Sequence, residues 1–265
     1  MRSRHRIAVA SMVALVLGAC TGSSPTGLPI GSPVPDKPLV YVAIGASETV
    51  GVGTEDPIRE AWPRVLWRTA LPQAAFFNLG VGGSTAGQAL REQVPAALTV
   101  HPDVVTVWLN VNDLIARVPP ATYERELTSI LHRLGRRGET QVFVATTPRL
   151  DSLPAYLSCR PSPPAGGGTC PLADAPEVLP LPPPVEIRAA VAAYNRVITR
   201  VARREGATVV DLGVFGDAPT SHPAWIAADG FHPSTAGAEA IAGVFAGAIA
   251  AAAPGTTAPG TTAPP

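Results

Sequence analysis

The sequence predicts an α/β fold, a three-layer α/β/α sandwich around a central, mainly parallel sheet of about five strands. Short apolar runs alternate along the chain with longer segments of helical periodicity, as expected for repeated strand–helix units. The short runs are apolar at consecutive positions, which is typical of strands covered by helices on both faces. A hydrophobic content of 46% and a charged content of 15% indicate a substantial core and argue against global disorder.

The predicted strands are rich in Val, Phe and other apolar residues, and each ends at a glycine, asparagine or threonine. In order, they are LVYVAIG (39–45), AFFNLG (75–80), VVTVWLN (104–110), QVFVATT (141–147) and ATVVDLG (207–213).

The predicted helices lie between and after these strands, in segments where apolar residues recur with helical spacing. Pro63 suits a first helical turn, whereas Gly135 and Gly206 suit helix ends. The helical segments are 61–71, 85–98, 123–137, 186–206 and a closing helix over 234–253.

The N-terminal segment is predicted to be a lipoprotein signal peptide over residues 1–19. MRSRHR is basic, the following stretch is apolar, and LGAC (17–20) resembles a bacterial lipobox. That resemblance implies a lipid on Cys20 and attachment to the outer face of the cytoplasmic membrane; ordinary signal cleavage with an incidental Cys20 is the alternative. Residues 20–38 read as a Ser/Pro/Gly tether, 39–253 as the folded domain, and 254–265 as a disordered Thr/Ala/Pro tail.

The two remaining cysteines, Cys159 and Cys170, are predicted to form a disulfide in an exported protein. They lie in a Pro-rich insertion over 148–184, which follows the carboxyl end of a predicted strand, where open α/β sheets bind ligands. We expect a substrate-side cover here; a surface loop without function is the alternative. No second Cys or His lies near either cysteine, so no metal site is expected.

Residues that could take part in catalysis or ligand binding follow three of the predicted strands. Ser47 follows the first strand, Gly83 lies in NLGVGGST after the second, and Asn112 lies in WLNVNDL after the third. Each also has a plain structural interpretation: a helix N-cap for Ser47, a phosphate-binding turn for the glycines, and turn formation for Asn112 with Asp113. The glycine segment lacks the lysine of a P-loop.

The fourth motif is DGFHP (229–233). Of the histidines in the chain, His232 alone has an aspartate three residues earlier, at Asp229. An aspartate beside one ring nitrogen fixes the tautomer and leaves the other nitrogen as a base. Helix capping by Asp229 is the alternative interpretation.

The ordered set of Ser, Gly, Asn and Asp-x-x-His resembles the SGNH hydrolases, the GDSL-type esterases and lipases, and with the lipobox an exported lipoprotein member of them. The resemblance covers residues 39–253. It implies Ser47 as nucleophile, Asp229 and His232 as the rest of the triad, and an oxyanion hole formed by Ser47, Gly83 and Asn112.

Two positions depart from the family pattern. Ala46 stands where the family's Gly-Asp-Ser has its aspartate, and Asn110 stands where glycine is usual before x-Asn-Asp. Neither position supplies a group that carries the implied reaction. Because asparagine is larger than glycine, Asn110 is expected to affect the substrate range or the rate.

The resemblance implies a cell-envelope serine esterase that hydrolyses carboxylic esters, of lipids or O-acylated glycans, through an acyl-enzyme. No cofactor is required, and a monomer is expected. The zero net charge and scattered basic residues argue against nucleic-acid binding. The alternative is a non-catalytic lipoprotein that only binds envelope glycan or lipid, and the two departures motivate it.

Overall fold

The computed structural model describes residues 37–160, residue 170 and residues 180–253. The predicted signal peptide, Cys20, the tether before Lys37 and the C-terminal tail lie outside the described residues, as does much of the predicted insertion. Membrane attachment therefore stays a prediction.

A five-stranded parallel sheet with the strand order β2-β1-β3-β4-β5 forms the centre of the protein. The chain moves outward from β1 to β2 and then crosses back to β3, so the direction of winding reverses between β1 and β3. In open α/β sheets, ligands bind in the crevice beyond the strand ends at such a reversal. The strands are β1 (Val40–Gly45), β2 (Ala75–Asn78), β3 (Val104–Trp108), β4 (Gln141–Ala145) and β5 (Thr208–Val210).

The helices of the described residues cover both faces of this sheet, which confirms the predicted three-layer fold. They are α1 (Ser47–Val50), α2 (Pro57–Glu60), α3 (Trp62–Ala70), α4 (Ala86–Arg91), α5 (Gln93–Thr99), α6 (Val111–Ile115), α7 (Pro120–Gly135), α8 (Pro154–Cys159), α9 (Pro184–Glu205), α10 (Ala218–Ser221) and α11 (Thr235–Ala252).

The two faces have separate hydrophobic cores. On one face, Val42, Ile44 and Val105 pack under α4, α5, α7 and α9. On the other, Tyr41 and Phe143 pack under α3 and α11. Alternate residues of each strand thus serve opposite layers, which explains why the strands are apolar at consecutive positions.

Helix α11 is long and apolar enough by composition to cross a membrane. In this fold it is the closing helix of the domain, because Phe245 stacks on Trp62 of α3 with ring centroids 4.3 Å apart. Its first turn is capped by Ser234, whose hydroxyl accepts a hydrogen bond from the Gly237 N–H.

Two details differ from the sequence prediction. Strand β2 is not buried on both faces: it lies at the sheet edge, and Phe77 and Asn78 are exposed. The single helix predicted over 85–98 is two helices that meet at Glu92. Pro95 has no N–H to donate to the carbonyl of Arg91, so a continuous helix would lose a hydrogen bond there.

Asp113 joins α6 to the start of α4. Its buried carboxylate accepts hydrogen bonds from the Ala86 N–H at 3.0 and 3.2 Å. A phosphate bound by the glycine segment would need the N–H groups at the start of α4, and the Asp113 carboxylate already occupies that position. Burial raises the pKa of Asp113 to about 6, the hydrogen bond from Ala86 opposes the rise, and the nearby Glu126 charge adds to it.

This raised pKa gives a prediction for folding stability. A carboxyl whose pKa is higher in the folded state stabilises the fold below its unfolded pKa, and this contribution is lost as pH rises through about 6. Asp113→Asn cannot ionise, so between pH 4 and pH 7 its free energy of unfolding should rise relative to the native protein, by roughly 2–3 kcal/mol. Urea unfolding at each pH measures the difference.

Glu126→Gln is the matched control, because it removes only the neighbouring charge and should give a smaller relative change. A constant difference between native protein and Asp113→Asn across this pH range would contradict the prediction.

Candidate active site

Ser47 is the first residue of α1, directly beyond the end of β1. The N-cap position belongs to Ala46, so the Ser47 hydroxyl does not cap the helix. Its Oγ instead lies 3.0 Å from Nε2 of His232, a residue 185 positions later in the chain. The structure therefore brings together the serine and the histidine that the sequence singled out.

Asp229 holds the other side of the His232 ring. Its Oδ2 lies 2.6 Å from His232 Nδ1, and its Oδ1 accepts hydrogen bonds from the N–H groups of Phe231 and His232 at 2.9 and 3.0 Å. It does not cap α11, whose cap is Ser234. One carboxylate oxygen thus fixes the turn and the other fixes the imidazole.

Asp229 is ionised in this arrangement. Burial acts to raise its pKa, but hydrogen bonds from the His232 ring and from the N–H groups of Phe231 and His232 outweigh burial and lower it. A carboxylate at this position makes Nδ1 the protonated nitrogen of a neutral His232. Nε2 is then left to accept the Ser47 proton.

Gly53 lets the turn over residues 229–233, called the histidine turn below, approach α1. Its backbone has φ +96°, and a Cβ at this position would lie 2.5 Å from the Pro233 carbonyl oxygen and 2.8 Å from Cβ of His232. Any side chain at Gly53 would therefore push His232 away from Ser47.

The glycine segment after β2 lies beside the end of β1. The Val81 N–H donates to the Gly45 carbonyl at 3.1 Å. Apart from the adjacent residues, no heavy atom of the described part of the chain lies within 4 Å of where a Cβ would stand on Gly82 or Gly83, so the backbone is open there. Asn112 Nδ2 donates to the Ser84 carbonyl at 3.1 Å, which places the Asn112 amide against the same segment.

Gln93 ties these parts together, and sequence reasoning missed it. Its buried side chain accepts from the Gly45 N–H and donates to the Gly45 carbonyl, both at 3.0 Å. It also donates to the Ser84 hydroxyl at 3.0 Å. A glutamine at the start of α5 carries no signal in the sequence for a contact with a residue 48 positions away.

Glu48 is a second residue that the sequence did not reveal. Ala46 leaves the residue before Ser47 without a carboxylate, but Glu48, the residue after it, places a carboxyl group nearby. The Ser47 hydroxyl lies 3.5 Å from Glu48 Oε2, and the Glu48 residue is only 9% exposed. Burial raises the pKa of Glu48, while a hydrogen bond from its own backbone and the nearby His232 and Ser47 oppose the rise.

Asn110, the other departure, faces the neighbouring strand. It is buried, and its amide donates to the Ala145 carbonyl of β4 at 3.4 Å. Its Oδ1 has no hydrogen-bond partner among the described residues.

A recessed, largely apolar cavity of about 70 Å³ lies next to this site. Its wall includes Glu48, which follows Ser47 in the chain, and Phe231, whose ring contacts the His232 ring edge to face at 4.9 Å. Trp108 and Ile241 form part of its wall.

The described part of the Pro-rich insertion forms another part of this wall, through Leu150 and Leu153. The Ala155 N–H at the start of α8 donates to the Gly230 carbonyl at 3.1 Å, so this segment is bonded directly to the histidine turn. The predicted disulfide between Cys159 and Cys170 is present.

Asp151 anchors the same segment to the domain. Its nearly buried carboxylate pairs with Arg149 at 3.1 Å and with Arg188 of α9 at 2.7 Å. Burial acts to raise its pKa, but the hydrogen bonds from both guanidinium groups outweigh burial and lower it. The cavity wall is therefore held from the side of α9 as well as from the histidine turn.

Metal ligation has no visible basis in the part of the chain that the structure describes, where no group of three or more His, Cys, Asp and Glu side chains is arranged to hold an ion.

Known structures share this architecture. A lipase/acylhydrolase from Enterococcus faecalis superposes with a TM-score of 0.57 at 21% identity, over 80% of this chain and 95% of that one. The esterase EstA from Pseudoalteromonas sp. has a TM-score of 0.56 at 16% identity, over 80% and 96%. The acetyl xylan esterase AlAXEase has a TM-score of 0.56 at 14% identity, over 79% and 100%. At these identities the likeness is one of fold.

No curated protein sequence matches this chain. The model of the GDSL-like Lipase/Acylhydrolase family matches residues 43–240, which contain the end of β1, the other four strands and the serine, aspartate and histidine described above. The chain therefore belongs to the GDSL-like lipase/acylhydrolase family.

Proposed function

We propose that this protein is a serine esterase that cleaves carboxylic esters through an acyl-enzyme, with Ser47, His232 and Asp229 as its triad. The observation that carries the proposal is the continuous chain of contacts from the Ser47 hydroxyl through the His232 ring to the Asp229 carboxylate, at 3.0 and 2.6 Å. A base within this reach of a hydroxyl is the arrangement that activates serine as a nucleophile.

Acylation begins when Ser47 Oγ attacks the ester carbonyl carbon and His232 Nε2 takes its proton. The imidazolium that forms is stabilised by ionised Asp229. His232 then donates the proton to the leaving alcohol oxygen as the carbon–oxygen bond breaks. Water releases the acyl group by the same steps, with His232 again acting first as base and then as acid.

The oxyanion that develops at each attack is assigned to the N–H groups of Ser47 and Gly83 and to the Asn112 amide. The open backbone at Gly83 and the contact of Asn112 with the adjacent Ser84 carbonyl support this assignment. Because Gln93 clamps both Gly45 and Ser84, these donors are held in place before the substrate arrives.

The site of action in this proposal is the cell envelope, with the domain held to the outer face of the cytoplasmic membrane by a lipid on Cys20. Acyl lipids and O-acylated glycans are the ester classes present there. Both classes fit the proposed chemistry, and lipases and an acetyl xylan esterase share the fold.

Replacing the nucleophile tests the proposal. Ser47→Ala should lower kcat on p-nitrophenyl butyrate by about 10⁴-fold or more, because the proposed acyl-enzyme forms on the Ser47 hydroxyl. Ser129→Ala on α7 is the matched control and should retain activity. Equal rates for native protein and Ser47→Ala would instead favour a protein that only binds its ligand.

Removing an oxyanion donor should affect the rate and leave binding largely intact. Asn112→Ala is expected to lower kcat by about 10²–10³-fold with little change in KM. Asn110→Gly should lower kcat much less, because the native Asn110 side chain faces β4. A loss confined to KM in Asn112→Ala would contradict the assigned role.

The lipid anchor has its own test. Cys20→Ala should move the protein from the membrane fraction to the soluble fraction of its native host, because the thioether-linked lipid proposed for Cys20 supplies the anchor. The double variant Cys159→Ser, Cys170→Ser should remain in the membrane fraction. Membrane retention of Cys20→Ala would show that attachment has another basis.

A further inference from the structure

Glu48 stands at the junction between the nucleophile and the cavity. Its carboxyl lies 3.5 Å from the Ser47 hydroxyl, and its side chain forms part of the cavity wall. Most of the other wall residues are apolar, among them Leu150, Leu153 and Phe231. Glu48 is the wall residue beside Ser47, so a group that extends from the reacting carbon into the cavity lies near a carboxyl first and near apolar surface afterwards.

The second ionisable side chain in the wall, Arg149, already has partners. It pairs with Asp151 at 3.1 Å and with Asp217 at 3.5 Å. Trp108 also lines the cavity, and its buried indole N–H has no hydrogen-bond partner among the described residues. Buried polar groups are normally satisfied, so the Trp108 N–H requires a ligand partner, whereas Arg149 does not.

The Ser47 hydroxyl has a single hydrogen, which points to His232 Nε2 at 3.0 Å in the proposed mechanism, so the Glu48 carboxyl at 3.5 Å has only a weak contact with it. In the acyl-enzyme, Ser47 Oγ is an ester oxygen without a hydrogen, so it cannot donate to the carboxyl at all. A buried polar group left without a partner is costly. The acyl group itself is placed to supply a partner, because it stays attached to Ser47 beside Glu48.

The cavity suits the acyl group better than the alcohol. The alcohol must leave before water can attack, and a recessed chamber hinders its departure, whereas the acyl group remains through that step. A volume of about 70 Å³ equals that of roughly two to three water molecules at about 30 Å³ each, which corresponds to a short chain.

We propose that the acyl pocket selects short hydroxyacyl esters, in which a hydroxyl on the second or third carbon of the acyl chain bonds the Glu48 carboxyl. This inference rests on the proposed esterase function and adds the substrate class. A hydroxyl can donate to a carboxylate or accept from a carboxylic acid, so it pairs with Glu48 in either protonation state. An ammonium group would bring a charge into apolar walls, which is unfavourable.

The test compares two p-nitrophenyl esters that differ by one hydroxyl, 3-hydroxybutyrate and butyrate, each corrected for its rate of alkaline hydrolysis. The corrected ratio of kcat/KM should favour the hydroxy ester by about tenfold in the native protein, as expected for one hydrogen bond to a carboxyl group. A ratio near one would overturn the inference.

Three variants show whether Glu48 or the apolar wall causes the preference for the hydroxy ester. Glu48→Leu removes hydrogen bonding and should bring the ratio close to one. Glu48→Gln keeps a hydrogen-bonding side chain of the same size and should retain most of the preference. Leu153→Val alters the apolar wall and should change how kcat/KM depends on the length of the acyl chain. It should leave unchanged the kcat/KM ratio between the hydroxy ester and butyrate. A Glu48→Leu protein with the native ratio would overturn the inference.

Ser47→Ala distinguishes a failure of the hydroxyacyl selection from a failure of the proposed esterase function. If Ser47→Ala is inactive on butyrate while the native ratio is near one, the esterase stands and the hydroxyacyl selection fails. If Ser47→Ala is as active as the native protein, the esterase proposal itself fails.

Discussion

The contact between Ser47 and His232 depends on how the last turn of the domain approaches the first strand. The two residues are 185 positions apart, and no shared element holds them together. Gly53 permits the approach on one side, and the hydrogen bond from Ala155 to Gly230 holds the turn on the other. Because hydrogen-bonded base catalysis needs heavy atoms about 3 Å apart, a small displacement of this turn would separate the pair.

The parallel sheet supplies the rest of the site by the direction of its strands. β1 and β3 are neighbours in register, with Gly45 opposite Trp108, so the residues that follow them emerge at the same edge. Gln93 and Asp113 then join the connecting segments through hydrogen bonds to Gly45, Ser84 and Ala86. Donors fixed in this way need not reorganise as charge develops in a reaction.

The fold class was predictable because it follows from local patterns. Buried strands such as β1 are continuous apolar runs, and Gly206 ends α9 with φ +73°. The edge exposure of β2 was not predictable, because it depends on strand order. Glu48 and Gln93 were missed for a related reason: in the sequence each is an ordinary polar residue of a helix, and its role comes from neighbours placed by the tertiary fold.

The insertion has a consequence for how this protein could diversify. The same short stretch lines the cavity through Leu150 and Leu153 and donates to the turn between Asp229 and His232. Exchanging it for the corresponding stretch of a related protein would alter the cavity and the position of His232 at once. Grafts that retain the N–H donor at position 155 are therefore the ones in which the cavity can change while the contact between Ser47 and His232 is kept.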